Sequence, residues 1–176
     1  MHGNKRFNEY NLTGDFGIGY TRKNEEFYFD LEDYDLIKDH CWYIESGGRV
    51  CARNINGGTP LKIHKIIMKL NNITQEIDHI NRNQTDNRKS NLRICSHMEN
   101  SHNMKTMKSN TTGFTGIYFR KDTKRYSAKI ECNKKIINLG CFKKIEDAII
   151  ARLKAEKEYF GEFASQRNLF KKYDIQ

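Results

Sequence analysis

Residues 76–100 read EIDHINRNQTDNRKSNLRICSHMEN. Ile77 and Ile80 bracket Asp78-His79 as on a short strand, and Leu92-Arg93-Ile94-Cys95 reads as a second strand. Between them Asn81–Ser90 is polar and rich in turn-forming residues. Ser96-His97-Met98-Glu99 has the S-x-x-E spacing of a capping box, so a helix is expected to begin at His97 and run toward Met107. The order is therefore strand, loop, strand, helix. A stretch this poor in apolar side chains builds no core of its own. Either it is a solvated loop or its side chains converge on a ligand. On a regular strand Asp78 and His79 point to opposite faces. A shared site at this pair requires the strand to bend or end there.

The rest of the chain bounds the answer. At 176 residues it holds one ordinary domain or two small ones. Charged residues are 30% of the chain and mean hydropathy is −0.84. No apolar run approaches the roughly 20 residues of a membrane-spanning helix. MHGNKRFNEYN has no apolar signal region. Five cysteines without a C-x-x-C pair argue against a disulfide framework or structural zinc and for a reducing cytoplasm. The net charge of +9 is uneven: −3 over residues 1–61, +5 over 62–108 and +7 over 109–176. The excess in the last two thirds points to a polyanionic partner there.

The fold class expected is α+β. Residues 1–60 read as a β-rich region with a short helical pattern at Leu31, Tyr34 and Ile37. Cys41–Ile44 and Arg49–Ala52 flank a hairpin turn at Glu45-Ser46-Gly47-Gly48. Residues 61–104 hold the ββα motif, with His64 on an apolar background. Residues 105–112 read as a basic linker. In 113–164, strands are expected at Phe114–Arg120, Tyr126–Cys132 and Ile136–Phe142. A helix follows with Ile145, Ala148, Ile149, Leu153, Glu156 and Phe160 at three-to-four spacing and Gly161 as its stop. This is a three-stranded antiparallel sheet packed on one helix, and residues 165–176 read as a tail.

Phosphodiester hydrolysis needs a base for water, a cation on the phosphate and relief of charge on the leaving oxygen. An imidazole can serve as the base. A carboxylate and an amide oxygen are hard ligands suited to Mg²⁺ or Mn²⁺. Asp78, His79, Asn91 and Asn100 supply these groups, with eleven residues between His79 and Asn91 and eight between Asn91 and Asn100. D-H-I-N-x-N-x-x-D-N-R-x-S-N-L-R followed by the E-N helix resembles the HNH motif, most closely that of phage and intron-encoded HNH homing endonucleases. The resemblance runs from about 61 to 103 and implies a ββα-metal fold. It implies His79 as general base, Asp78 and Asn100 as ligands of one Mg²⁺ or Mn²⁺, and Asn91 as the group that orients His79. His64-Lys65 stands where that subgroup often has His-Arg, and both residues are expected DNA contacts. Asp86-Asn87 reads as an Asx turn holding the loop.

Residues 113–163 resemble the ethylene-response-factor (apetala-type) DNA-binding domain. The resemblance rests on Gly116-Ile117-Tyr118-Phe119-Arg120, Tyr126-Ser127-Ala128-Lys129-Ile130, Leu139-Gly140-Cys141-Phe142, Glu146-Asp147-Ala148 and Gly161-Glu162-Phe163-Ala164. That family lays its sheet in the major groove. Tyr118, Arg120, Lys129 and Glu131 are expected on the exposed face, with Arg125 and Lys134 toward the DNA backbone. Tyr126 stands where the family has Trp. Together the resemblances imply a metal-dependent DNA endonuclease, acting as a monomer that nicks one strand of duplex DNA in the cytoplasm of a bacterial or phage-infected cell. A DNA-binding regulator with an inert nuclease motif, and an RNA-binding module, are the alternatives.

Overall fold

Two glycines admit two phenylalanine rings to the first core. Strands β1 (Glu9–Asn11), β2 (Gly17–Tyr20) and β3 (Glu26–Phe29) form an antiparallel sheet in that order. Its register sets Gly17 opposite Phe29 and Gly19 opposite Phe27. A Cβ at either glycine would run into the opposing ring, so both rings lie flat on the sheet, fully buried. The structure is a computed structural model and describes residues 7–70, 74–103 and 110–176. It divides into two units, 1–97 and 98–176.

In the first unit a 3-10 turn at Leu31–Asp33 leads into α1 (Tyr34–Ile37). The expected hairpin is present as β4 (Trp42–Ile44) and β5 (Val50–Ala52), extended by β6 (Leu61–Lys62). Next comes α2 (Ile63–Ile67), then the two-stranded ladder of β7 (Glu76–His79) and β8 (Leu92–Cys95). One core gathers Phe27, Phe29, Ile37, Trp42, Val50, Ile63, Ile77 and Leu92. It spans the boundary expected at residue 60. Strands of two to four residues bury too little apolar surface to stand alone, so the N-terminal region and the β7–β8 ladder share one interior.

Helix α3 (His97–His102) starts where the capping-box spacing placed it. Residues 104–109 lie outside the described residues, and with them the expected run toward Met107 and most of the expected linker. The units divide within α3, between His97 and Met98, and the neighbours of its second half explain why. His102 stacks on Phe160 with ring centroids 3.8 Å apart, and the buried Asn103 accepts a hydrogen bond from Arg167 Nη1 at 2.8 Å.

The second unit carries a three-stranded antiparallel sheet. β9 (Ile117–Arg120), β10 (Arg125–Cys132) and β11 (Lys135–Phe142) are arranged with β10 central. Asn133 and Lys134 both have positive φ, 52° and 61°, the two-residue turn whose twist suits a hairpin. Register slips by one residue between Ala128 and Lys129. Helix α4 (Ile145–Phe160) buries Ala148, Ile149 and Leu153 with Ile117 and Ala128 of the sheet, and ends at Gly161. The expected tail is part of this unit: Leu169, Phe170, Tyr173 and Ile175 pack into the same core.

Glu156 lies on the buried stripe of α4 and is fully enclosed. Its carboxylate accepts hydrogen bonds from Arg152 (Nε 3.1 Å, Nη2 2.9 Å), Ser165 Oγ (3.3 Å), and the backbone and side-chain nitrogens of Gln166 (3.0 and 2.8 Å). Arg152 also donates to the carbonyl of Lys129 at 2.8 Å. One carboxylate thus ties helix, sheet and C-terminal segment together. Removing it strands a buried guanidinium, which costs about 3–5 kcal/mol. E156A should lose roughly that much stability in urea unfolding, whereas a loss under about 1 kcal/mol would show that the pair contributes no more than a surface ion pair.

Candidate active site

The loop between β7 and β8 has almost no apolar side chains, and hydrogen bonds give it its shape. Asn81 Oδ1 accepts from the Asn83 N–H at 2.8 Å, and Asn83 Oδ1 accepts from the Thr85 N–H at 3.2 Å, two Asx turns in succession. Asp86 takes both arms of Arg88 (2.7 and 2.8 Å) and the Asn81 side-chain amide (3.0 Å). The folded loop then lies along the edge of β3. The Tyr28 N–H donates to Thr85 O and the Asn87 N–H donates to Tyr28 O, each at 2.8 Å, forming a parallel bridge. Lys89 secures the far end, its N–H on Asp30 Oδ2 at 2.7 Å and its ammonium on the buried Asp33 at 2.8 Å.

β7 ends at His79, and a turn closes from the Arg82 N–H to His79 O at 2.8 Å. This meets the condition that the strand stop at the Asp-His pair. Both residues are buried. Asp78 sits opposite Arg93 in the ladder and His79 opposite Leu92. Arg93 donates to Asp78 Oδ2 twice, from Nε at 2.9 Å and Nη2 at 2.6 Å.

His79 Nε2 lies 3.2 Å from Asn87 Oδ1. The amide of Asn87 has a determined orientation, because its Nδ2 donates to Thr85 O at 3.1 Å. Its oxygen must therefore accept, and His79 Nε2 must carry the proton. The basic position of the neutral ring is then Nδ1. Burial lowers the pKa of His79, while Asn87, Asp78 and Asp86 pull it back up. The orienting role expected of Asn91 falls instead to Asn87, which the sequence offered only as a turn residue. Asn91 pins the loop: its Oδ1 accepts from the Asn81 N–H at 2.9 Å and its Nδ2 donates to Asp86 O at 2.7 Å.

Asn100 lies on α3 in the second unit. In that unit Tyr118, Arg120, Arg125, Lys134 and Glu131 are exposed, and the Lys129 ammonium sits 4.7 Å above the Tyr118 ring. Arg120 is paired with Asp122 at 2.7 Å. Among the described residues no three His, Cys, Asp or Glu side chains come together as a metal cluster.

His64 is buried on α2, its ring edge-on to His79 with centroids 5.2 Å apart, and Lys65 beside it is exposed. Burial, then the positive charges of His79, Lys62, Lys65 and Arg49, push the His64 pKa from 6.5 down to about 3. Between those two values the unfolded chain binds the proton and the folded chain does not. Stability is thus full above about pH 6.5 and falls as pH drops toward 3. Urea unfolding at pH 7, 5.5 and 4 should show this decline. In H64Q the linked uptake should shrink by about one proton. An unchanged pH slope in H64Q would contradict the assignment.

No family model matches the chain, and neither does any solved structure. The chain is 34% identical over 92 residues to Protein 3.8 of Escherichia phage T7, a name that states no activity. That alignment takes in 52% of this chain and 74% of the relative. At this identity, and over that much of the relative's length, the chain belongs to the family of phage T7 Protein 3.8.

Proposed function

We propose that the chain is an HNH-type, metal-dependent DNA endonuclease that hydrolyses phosphodiester bonds with His79 as general base. The observation that carries this reading is the Asn87–His79 hydrogen bond. In a buried neutral imidazole of the Nε2–H tautomer the basic nitrogen is Nδ1, the atom we assign to take the water proton. Once protonated, the ring is supported by Asn87 Oδ1 and by the nearby carboxylates of Asp78 and Asp86. The activated water attacks phosphorus and the P–O3′ bond breaks, leaving 5′-phosphate and 3′-hydroxyl ends.

The resemblance assigns Mg²⁺ or Mn²⁺ to Asp78 and Asn100. One carboxylate and one amide are hard oxygen donors, a sparse set that suits a small cation keeping most of its waters. When bound, the cation supplies electrophilic pull on the scissile phosphate and charge relief for the leaving oxygen. The basic second unit, with Tyr118, Arg120, Arg125, Lys129 and Lys134 on its sheet and turns, is the proposed anchor on duplex DNA. With a single Asp-His-Asn-Asn set in the chain, a monomer cuts one strand at a time. Action in the cytoplasm of an infected host accords with the phage relative.

One observation favours the second reading, a DNA-binding protein with an inert nuclease motif. Arg93 already occupies Oδ2 of Asp78, the carboxylate a cation needs. Incubation with supercoiled plasmid, with Mg²⁺ or Mn²⁺ and with EDTA, separates the two. The endonuclease should accumulate open circles before linear product, and EDTA should stop it. H79A should cut about two to four orders of magnitude more slowly while still binding DNA. Wild-type turnover by H79A would remove His79 as the base, and absence of cutting with either metal would favour the inert reading.

A further inference from the structure

The first unit has almost balanced charge, yet its cations are not distributed alike. Lys38, Arg88, Lys89 and Arg93 each sit on a carboxylate. Lys62, Lys65, Lys69 and Arg49 pair with no carboxylate among the described residues. Lys62 ends β6, Lys65 lies on α2 and Lys69 follows the helix with a positive φ of 50°. They line an open groove whose other walls include Pro60, Leu61 and Ile66, and no Asp or Glu among the described residues lines it. Three unpaired ammonium groups held together without a counter-charge repel one another. An anion relieves that repulsion.

Helix α2 carries both Lys65 and Ile66 of the groove and the buried His64 that meets His79. His64 follows Ile63 at the start of α2, with Lys62 and Lys65 on either side in sequence, and its ring packs against His79. Positive charge from Lys62, Lys65 and Arg49 acts on His64, and charge from Arg49 acts on His79 as well. His64 is itself 6% exposed, and its Nδ1 has no hydrogen-bond partner among the described residues. A buried polar atom left unsatisfied is uncommon.

We infer that the groove of Lys62, Lys65 and Lys69 binds the sugar-phosphate backbone of duplex DNA that the endonuclease cuts. The substrate rests on the endonuclease reading, whereas the groove itself does not depend on cleavage. An open channel lined by several lysines suits a run of phosphates on a rigid polymer better than one small anion, because each ammonium can meet a separate charge. The N-terminal unit is then a second DNA contact and not only a scaffold for His79. Its contribution carries no base preference.

The test uses the full chain and a non-cognate DNA duplex, with binding measured from low to moderate salt. K62A/K65A/K69A should flatten the dependence of log K on log salt by about 2.7, from roughly 0.9 per lost phosphate contact. The arginine triple K62R/K65R/K69R should restore most of the slope. A K62A/K69A pair, which leaves the neighbour of His64 intact, should lose about 1.8. Wild-type slopes in both alanine variants overturn the inference, whether or not the protein cleaves. A reduced slope in a protein that never cleaves upholds the groove and leaves the nuclease reading to fall alone. A reduction seen with single-stranded RNA but not with the duplex overturns the choice of DNA.

Discussion

Two backbone hydrogen bonds at the edge of β3 set the geometry of everything around His79. Tyr28 gives its N–H to Thr85 and takes that of Asn87. A loop as polar as Asn81–Ser90 gains little from apolar burial, and in water alone it would sample many shapes. Bonding to the open edge of a sheet whose rings lie flat against glycine removes that freedom. Lys89 closes the far end on Asp30 and Asp33, and Asn91 spans the loop from inside. Asn87 is thereby held by its own backbone, and its side-chain oxygen reaches His79. The small N-terminal sheet thus acts at a distance on one imidazole proton.

The same arrangement explains why so much polarity can be buried near the centre of the first unit. Asp78 is matched by Arg93, Asp86 by Arg88, and Asn87 and Asn91 have donors and acceptors engaged. Satisfied polar groups of this kind cost little and define one conformation, whereas half-satisfied ones are costly. Among the described residues His64 Nδ1, Asp33 Oδ2 and Gln84 Oε1 are buried without a hydrogen-bond partner, and His64 also has a strongly lowered pKa. The second unit shows the same logic around Glu156, where five donor groups surround one carboxylate.

Patterns local in sequence were legible and contacts between distant segments were not. The strand through Asp78-His79, the strand at Leu92–Cys95, the helix start at His97 and the three strands and helix of the second unit all follow from alternation, turn residues and capping spacing, which act over a few residues. The α+β class follows from the same signals. Asn87 was read as a turn residue because its role depends on Tyr28, nearly sixty residues earlier in the chain, and on the rotation of an amide that no spacing encodes. Asn91 fits the motif spacing, but its side chain serves the loop. Glu156 stood on an apolar stripe, and the donors that let it stay there come from Arg152 and from a segment that looked like a tail. The glycines of β2 carried a signal, since alternating Gly opposite alternating Phe is what a close ring-on-sheet approach requires. The Asp78–Arg93 pairing could be read only once the ladder register was known.

Asn87 fixes the proton of His79 on Nε2 and leaves Nδ1 as the basic nitrogen of the neutral ring. Long-range ¹H–¹⁵N correlation spectra of the protein at neutral pH measure this directly, because the protonated and unprotonated ring nitrogens of a neutral imidazole resonate far apart. The His79 ring is expected to be neutral, with Nε2 in the protonated range and Nδ1 in the unprotonated range. A spectrum with the proton on Nδ1 would contradict this assignment.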